Sequence, residues 1–157
     1  MAVSKRIKSF LEDQGVQYEV LIHTPAYTSQ EVAAVSHLSG DDFAKVVMAK
    51  VGDDFVMVVL PASKRIDLDA LQTFLGCGTH PRLAEEKEFG TLFPDCELGA
   101  EPPFGNLYSV PVVVDESLTQ DPQIAFNAGN HRELIQIAYK DFARLVQPRV
   151  GPVIRQT

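Results

Sequence analysis

Two apolar runs, at residues 43–51 and 55–60, constrain this chain more than any other feature, because Gly52-Asp53-Asp54 joins them directly. Each run is rich in Val and other residues that suit a pleated surface, and the Gly-Asp-Asp between them is a turn signal, so the pair reads as a β-hairpin. The first run is apolar on both faces, as a central strand covered from both sides must be. The rest of the chain therefore has to supply the covering layers. Val3, Ile7, Phe10 and Leu11 recur at helical spacing before Gly15, which predicts a helix over 3–14. Residues 16–22 alternate like a strand. Thr28-Ser29-Gln30-Glu31 has the form of a capping box and opens a predicted helix through Leu38. Asp67 is placed to cap a helix through Leu75 that Gly76 closes, and 83–93 reads as a second helix broken near Gly90. Strands at 110–115, 124–128 and 134–139 follow, then a helix at 141–146. With no repeat or linker in view, the expectation is an α+β (mixed α/β) fold: one compact domain over 3–147, a central mixed sheet with helices packed on it, and a C-terminal tail at 148–157.

The 157 residues suit one domain, and at 45% hydrophobic they can build a core. No apolar run approaches the roughly 20 residues of a membrane span. The start, MAVSKRIKSFLEDQG, reads as an amphipathic helix rather than a signal peptide. Cys77 and Cys96 lack CxxC spacing and read as free thiols in a reducing compartment, so the expected location is cytoplasmic. A net charge of −7 argues against broad duplex binding, which rests on many Lys and Arg contacts to phosphate. It leaves open a grip on one short single-stranded end. The basic pairs Lys5-Arg6 and Lys64-Arg65 read as solvated surface charge.

Lys45 does not fit its surroundings. Period-two geometry puts it on one strand face with Phe43, Val47, Ala49 and Val51, where a charge is costly without a partner or a cleft. It is either a lysine snorkelling at a sheet edge or one that opens into a site. Lys50 falls on the other face, beside the turn. The loop 99–105, Gly99-Ala100-Glu101-Pro102-Pro103-Phe104-Gly105, is stiffened by two prolines between two glycines. Such a loop either connects two elements rigidly or presents fixed N–H groups to a developing negative charge. Asn127-Ala128-Gly129 reads as a strand end with a turn or as a site wall. No G-x-S-x-G elbow, Walker loop, dinucleotide fingerprint or HExxH pair occurs. His23, His37, His80 and His131 show no metal-ligand spacing, so neither metal nor cofactor is expected.

The order of these features resembles the YbaK/prolyl-tRNA synthetase-associated domain family of trans-acting aminoacyl-tRNA deacylases. The resemblance rests on a strand ending in His23-Thr24, the helix opened at Thr28, Phe43-Ala44-Lys45 leading a strand, the hairpin, the glycine–proline loop and the Asn-Ala-Gly strand end. It implies a hydrolase that removes a mischarged amino acid from tRNA, with a positioned water and backbone oxyanion donors. In that reading Lys45 holds the substrate's terminal phosphate or acyl end, and Gly99, Pro103 and Gly105 cradle the carbonyl. His23, Thr24, Tyr27, Phe104, Asn127, Gly129 and His131 line the pocket. The implied partners are the tRNA acceptor end and, as a candidate, an aminoacyl-tRNA synthetase. A non-catalytic sensor of the aminoacyl-tRNA end and a hydrolase of small aminoacyl esters are the rival readings. The sequence departs from the family at Glu101-Pro102-Pro103, where relatives often carry small residues before one proline. It departs again at Leu134, where YbaK carries an acidic residue, with Glu133 and His131 nearby. Both departures bear on which amino acid is removed.

Overall fold

The structure, a computed structural model, describes residues 5–22 and 43–155. The hairpin forms as expected: β2 (Ala44–Val51) pairs antiparallel with β3 (Asp54–Pro61), setting Lys45 opposite Leu60. β3 is buried along nearly its whole length and sits at the centre of a five-stranded sheet. Its neighbours are β4 (Arg82–Leu83), which flanks β2, then β5 (Val112–Asp115) and β8 (Arg149–Gly151), both parallel to their inner neighbour. A second, antiparallel sheet has β7 (Glu133–Ala138) between β1 (Glu19–Ile22) and β6 (Gln123–Asn127).

The period-two pattern of the hairpin divides its side chains between two apolar layers. Val56, Val58 and Leu60, with Val47 and Ala49, pack beneath α2 (Leu68–Leu75), which contributes the buried Leu71. Met48, Met57 and Val59 face the other way. There they meet Ile7 and Leu11 of α1 (Lys5–Asp13), Phe126 and Ile135 of the small sheet, and Phe142 of α4 (Tyr139–Val146). Ile7 and Leu11 lie one turn apart and so share the buried stripe of α1. Local signals fix the ends of α2: Asp67 Oδ1 accepts from the Ala70 N–H at 3.0 Å, and the Gly76 N–H returns to the Gln72 and Thr73 carbonyls. Among the described residues no helix is long and apolar enough to cross a membrane.

Five expectations need correction. Residues 83–93 are not one helix but the short β4, a single turn α3 (Glu86–Phe89) and a 3-10 turn at Gly90–Leu92. The Glu85/Glu88 capping box starts a new helix there, so the chain before it is free to pair with β2. The first strand is shorter than 16–22, and the strand expected at 110–115 begins only at Val112, since Pro111 has no N–H to give a ladder. The last helix begins at Tyr139, where the preceding strand was expected to end. Residues 148–157, read as a tail, supply β8 and a further bridge between Ile66 and Ile154. The helix expected at 28–38 lies outside the described residues.

Candidate functional site

The two sheets touch where Phe43, just before β2, forms a parallel bridge with Ala125 of β6. Lys45 lies two residues beyond Phe43 in β2, and Asn127 two residues beyond Ala125 at the end of β6. Asn127 is paired in turn with Leu134, and Leu134 with Leu21. Phe43, Ala62, Ala125 and Leu134 form a small buried apolar cluster here, with Leu21 packed against it. The Asn127 Oδ1 is buried and, among the described residues, has no hydrogen-bond partner. A buried amide oxygen left without a donor is costly, so an acceptor with spare capacity is a feature to account for.

Lys45 is half-buried and lines an open cavity of about 280 Å³ with Val47, Arg65, Ile66, Leu83 and Arg155. Burial pushes its ammonium below the usual lysine range, and the neighbouring Arg65 pushes the same way. Among the described residues it makes no ion pair. Lys50 differs as its strand face dictates: its ammonium is 3.4 Å from Glu88 Oε2 and lies over the Phe55 ring.

The loop 99–105 is bound to the turn that follows β6. The Gly129 N–H donates to the Ala100 carbonyl at 2.9 Å, and the Glu97 N–H to the Gly129 carbonyl at 2.8 Å. The His131 N–H donates to Glu97 Oε1 at 2.9 Å, and its Nε2 lies 2.8 Å from the Leu98 carbonyl. A carbonyl only accepts, so Nε2 carries the proton in that contact. Asn130 Oδ1 accepts the N–H groups of Arg132 and Glu133, which turns the chain into β7. Three residues expected at the site from sequence, Gly99, Gly129 and His131, thus belong to one cross-braced unit, and Asn127 ends the strand that leads into it.

Within the loop, Gly99 has φ 87°, a left-handed backbone that favours glycine. Its N–H donates to Glu101 Oε2 at 2.8 Å. Glu101 is buried, and burial raises its carboxyl above the usual range, while the Gly99 N–H, its own N–H and nearby His131 oppose that shift. The backbone here does converge on an anion, and the anion is the loop's own side chain. Pro102 and Pro103 have no N–H. Among the described residues the N–H groups of Phe104 and Gly105 donate to no acceptor, which leaves them as the loop's available donors. Gly105 is needed for close approach: a Cβ there would meet the Val110 carbonyl oxygen at 2.4 Å.

The Phe104 side chain is a correction. Expected at the pocket, its ring is fully buried against Phe10, Phe126 and Phe142, with centroids 5.4–6.1 Å away. A fully apolar ring is held in the core that the stiff prolines aim it into. His23, Thr24 and Tyr27 lie outside the described residues. Sequence reasoning missed Arg65 and Arg155 beside Lys45, and Glu97 and Asn130 as braces. Lys64-Arg65 was the one signal available, and it had been read as plain surface charge. Among the described residues no group of three His, Cys, Asp or Glu side chains could hold a metal ion. Cys77 and Cys96 are free thiols, and burial pushes the Cys96 thiol up to about 12, far from a nucleophile's range. A larger cavity of about 900 Å³ opens between Tyr18, Gln136 and Asp141, away from all of these residues.

Residues 23–145 match the family model of the aminoacyl-tRNA editing domain. The chain is 27% identical over 151 residues to the multifunctional Ser/Thr-tRNA deacylase ProXp-y of Escherichia coli (strain K12), covering 93% of this chain and 89% of that protein. It is 24% identical over 153 residues to the prolyl-tRNA editing protein ProX of Acetoanaerobium sticklandii, covering 94% and 92%. Among solved structures, hypothetical protein APE2540 superposes with a TM-score of 0.86 at 21% identity, covering 96% of this chain and all of that one. A structure provisionally described as a trans-editing enzyme for prolyl tRNA synthetase gives 0.81 at 21% identity, covering 98% and 97%. These superpositions speak for the fold.

Proposed function

The chain belongs to the aminoacyl-tRNA editing domain family, and we propose that it acts in trans, hydrolysing the ester bond of a mischarged aminoacyl-tRNA. The observation that supports this reading is the hydrogen-bonded tie between the 99–105 loop and the turn after β6, from Gly129 to Ala100 and from Glu97 to Gly129, beside the bridge that joins β6 to Phe43 at the head of the Lys45 strand. On this reading the cation, the Asn127 acceptor and the donor loop serve one substrate. The ester is already activated, so orientation and charge stabilisation suffice and no protein nucleophile is needed. A water, held by Asn127 Oδ1, adds its oxygen to the acyl carbon. The N–H groups of Phe104 and Gly105 stabilise the oxyanion that develops. The C–O bond to the terminal ribose then breaks, and the ribose oxygen takes the proton that the water gives up. Lys45 holds the phosphate or acyl end throughout. Pro103 stiffens the loop, while Gly99, Gly129 and His131 keep it in register.

Editing by a second site answers a physical limit, since a pocket separates amino acids differing by one methylene by only about 1–3 kcal/mol. The relatives named above are a Ser/Thr-tRNA deacylase and a prolyl-tRNA editing protein, so small amino acids on tRNA are the substrates to try first. The synthetase that charges the same tRNA is the candidate partner, and the cytoplasm, where charged tRNA is used, the candidate location. The test is a deacylation screen of purified protein over a matrix of mischarged tRNAs, with small aminoacyl esters alongside. Faster release of the amino acid from at least one mischarged tRNA is expected. Binding without release in every case would favour a sensor, and hydrolysis of the free esters alone would remove tRNA from the account.

A further inference from the structure

Arg65 and Arg155 are far apart in sequence and face each other across a ladder. Ile66 and Ile154 form an antiparallel bridge, flanked by the Arg155 N–H donating to the Arg65 carbonyl and the Asp67 N–H to the Val153 carbonyl, each at 2.8 Å. That register makes the two arginines a directly opposed pair, an arrangement that is destabilising for like charges. The segment has little freedom to relieve it, because Val153 is fully buried and its N–H donates to Asp115 Oδ1 at 2.9 Å.

Lys45 opens into the same cavity, so three cations converge on it, with Val47, Ile66 and Leu83 as the remaining lining. Among the described residues no acidic side chain lines it, although acids outnumber Lys and Arg by 21 to 14 in the chain. Among the described residues none of the three cations is ion-paired. Concentrated positive charge without a counter-charge, in an acidic protein, is the electrostatic footprint of a bound anion.

We propose that Lys45, Arg65 and Arg155 form a phosphodiester-binding site that grips the backbone of a single-stranded RNA end, resting on the reading of Lys45 as part of a tRNA-editing site. Guanidinium forks match phosphate oxygens in pairs, and two of them side by side suit successive phosphates better than one small anion. Among the described residues no aromatic side chain lines the cavity, so they offer no stacking platform and suit backbone rather than base. It supplies the tRNA grip that the chain's overall negative charge denies it elsewhere, and it places that grip next to the reacting end.

The test measures binding of a labelled single-stranded RNA oligonucleotide ending in CCA, and of uncharged tRNA, across a salt series. The proteins are the unmodified chain, Arg65→Gln, Arg155→Gln and Arg155→Lys, with the exposed Lys8→Gln on α1 as a charge control. Each arginine-to-glutamine change should weaken RNA binding roughly tenfold at low salt and reduce the slope of log K against log salt by about 0.7 per phosphate lost. Arg155→Lys should restore part of the affinity, and Lys8→Gln should leave the slope unchanged. Inorganic phosphate should compete only weakly; competition as strong as the oligonucleotide's would replace the RNA site with a small-anion site and overturn the proposal. Affinity and slope unchanged in both arginine variants would also overturn it. On a mischarged tRNA the variants should raise KM and leave kcat in place. If deacylation proceeds but neither variant changes it or RNA binding, the site inference fails and the editing reading stands. If no charged tRNA is hydrolysed yet RNA binding depends on the arginines, the editing reading fails and the site stands.

Discussion

Replacing Gly105 by alanine separates the loop's packing from its chemistry, and the structure sets the size of the effect. An added Cβ would lie 2.4 Å from the Val110 carbonyl oxygen and 2.7 Å from Val112 Cγ2. The side chain of Val112 can turn; the Val110 backbone cannot easily retreat, because its own N–H donates to the Gly105 carbonyl at 2.9 Å, as does that of Tyr108. Relief therefore needs a backbone shift of several tenths of an ångström in a turn whose two ends, Gly105 and Val110, are buried. Overpacking of this kind costs about 1–3 kcal/mol. Taking about 2 kcal/mol, and about 3 °C per kcal/mol for a domain of this size, the midpoint should fall by roughly 6 °C. Thermal unfolding followed by circular dichroism, with a check for reversibility, reads it directly. Deacylation is then assayed well below the lowered midpoint, where a folded variant that has lost activity shows the cost of a displaced donor. A midpoint within about 1 °C of the parent protein's would show that the turn yields freely, and the close-packing argument would fall.

Three further outcomes follow from the same geometry. Glu101 has a raised carboxyl pKa, so the folded state binds its proton more tightly than the unfolded chain does; its share of stability is full below the ordinary value of 4.5 and is lost as pH rises through the raised one. Glu101→Gln keeps an acceptor for the Gly99 N–H without the charge, so it should be at least as stable as the parent at pH 7 and lack that decline in denaturant titrations across pH; marked destabilisation at pH 7 would show that the buried charge itself is needed. With the Cys96 thiol pushed up to about 12, a thiol reagent should modify Cys77 faster than Cys96 in the folded protein, and equally rapid reaction of both would count against the raised thiol. Because the proposed chemistry uses no metal, deacylation should survive EDTA, and loss that zinc or magnesium restores would require ligands that this account lacks.

What could be read from the sequence was local. The hairpin turn at Gly52, the Asp67 cap and the Gly76 stop of α2 are short-range signals, and the structure uses each. Lys45 stood out because period two made it a charge among apolar neighbours. The 99–105 loop stood out by its prolines and glycines, but not its tie to Gly129 and His131, which is a matter of tertiary register. Arg65 and Arg155 could not be paired from sequence, since only the bridge at Ile66 and Ile154 brings them together. Residues 148–157 gave no strand signal because β8 is three residues long and borrows its order from β5. Phe104 looked like a pocket residue from its place in the loop; three surrounding rings decide otherwise.

The most direct measurement compares Lys45→Ala and Lys50→Ala in hydrolysis of a mischarged tRNA, with folding checked in each. The two lysines sit on opposite faces of β2, one in the cationic cavity with no ion pair among the described residues and the other paired with Glu88. Lys45→Ala should lower kcat/KM at least roughly tenfold, about 1.4 kcal/mol of transition-state stabilisation, and should fold normally because no packed apolar cavity is left behind. Lys50→Ala should lose at most a little stability with its partly exposed ion pair and hydrolyse at the parent rate. Equal hydrolysis by the parent protein and Lys45→Ala would contradict the account, leaving Lys45 a snorkelling lysine at the edge of a cavity.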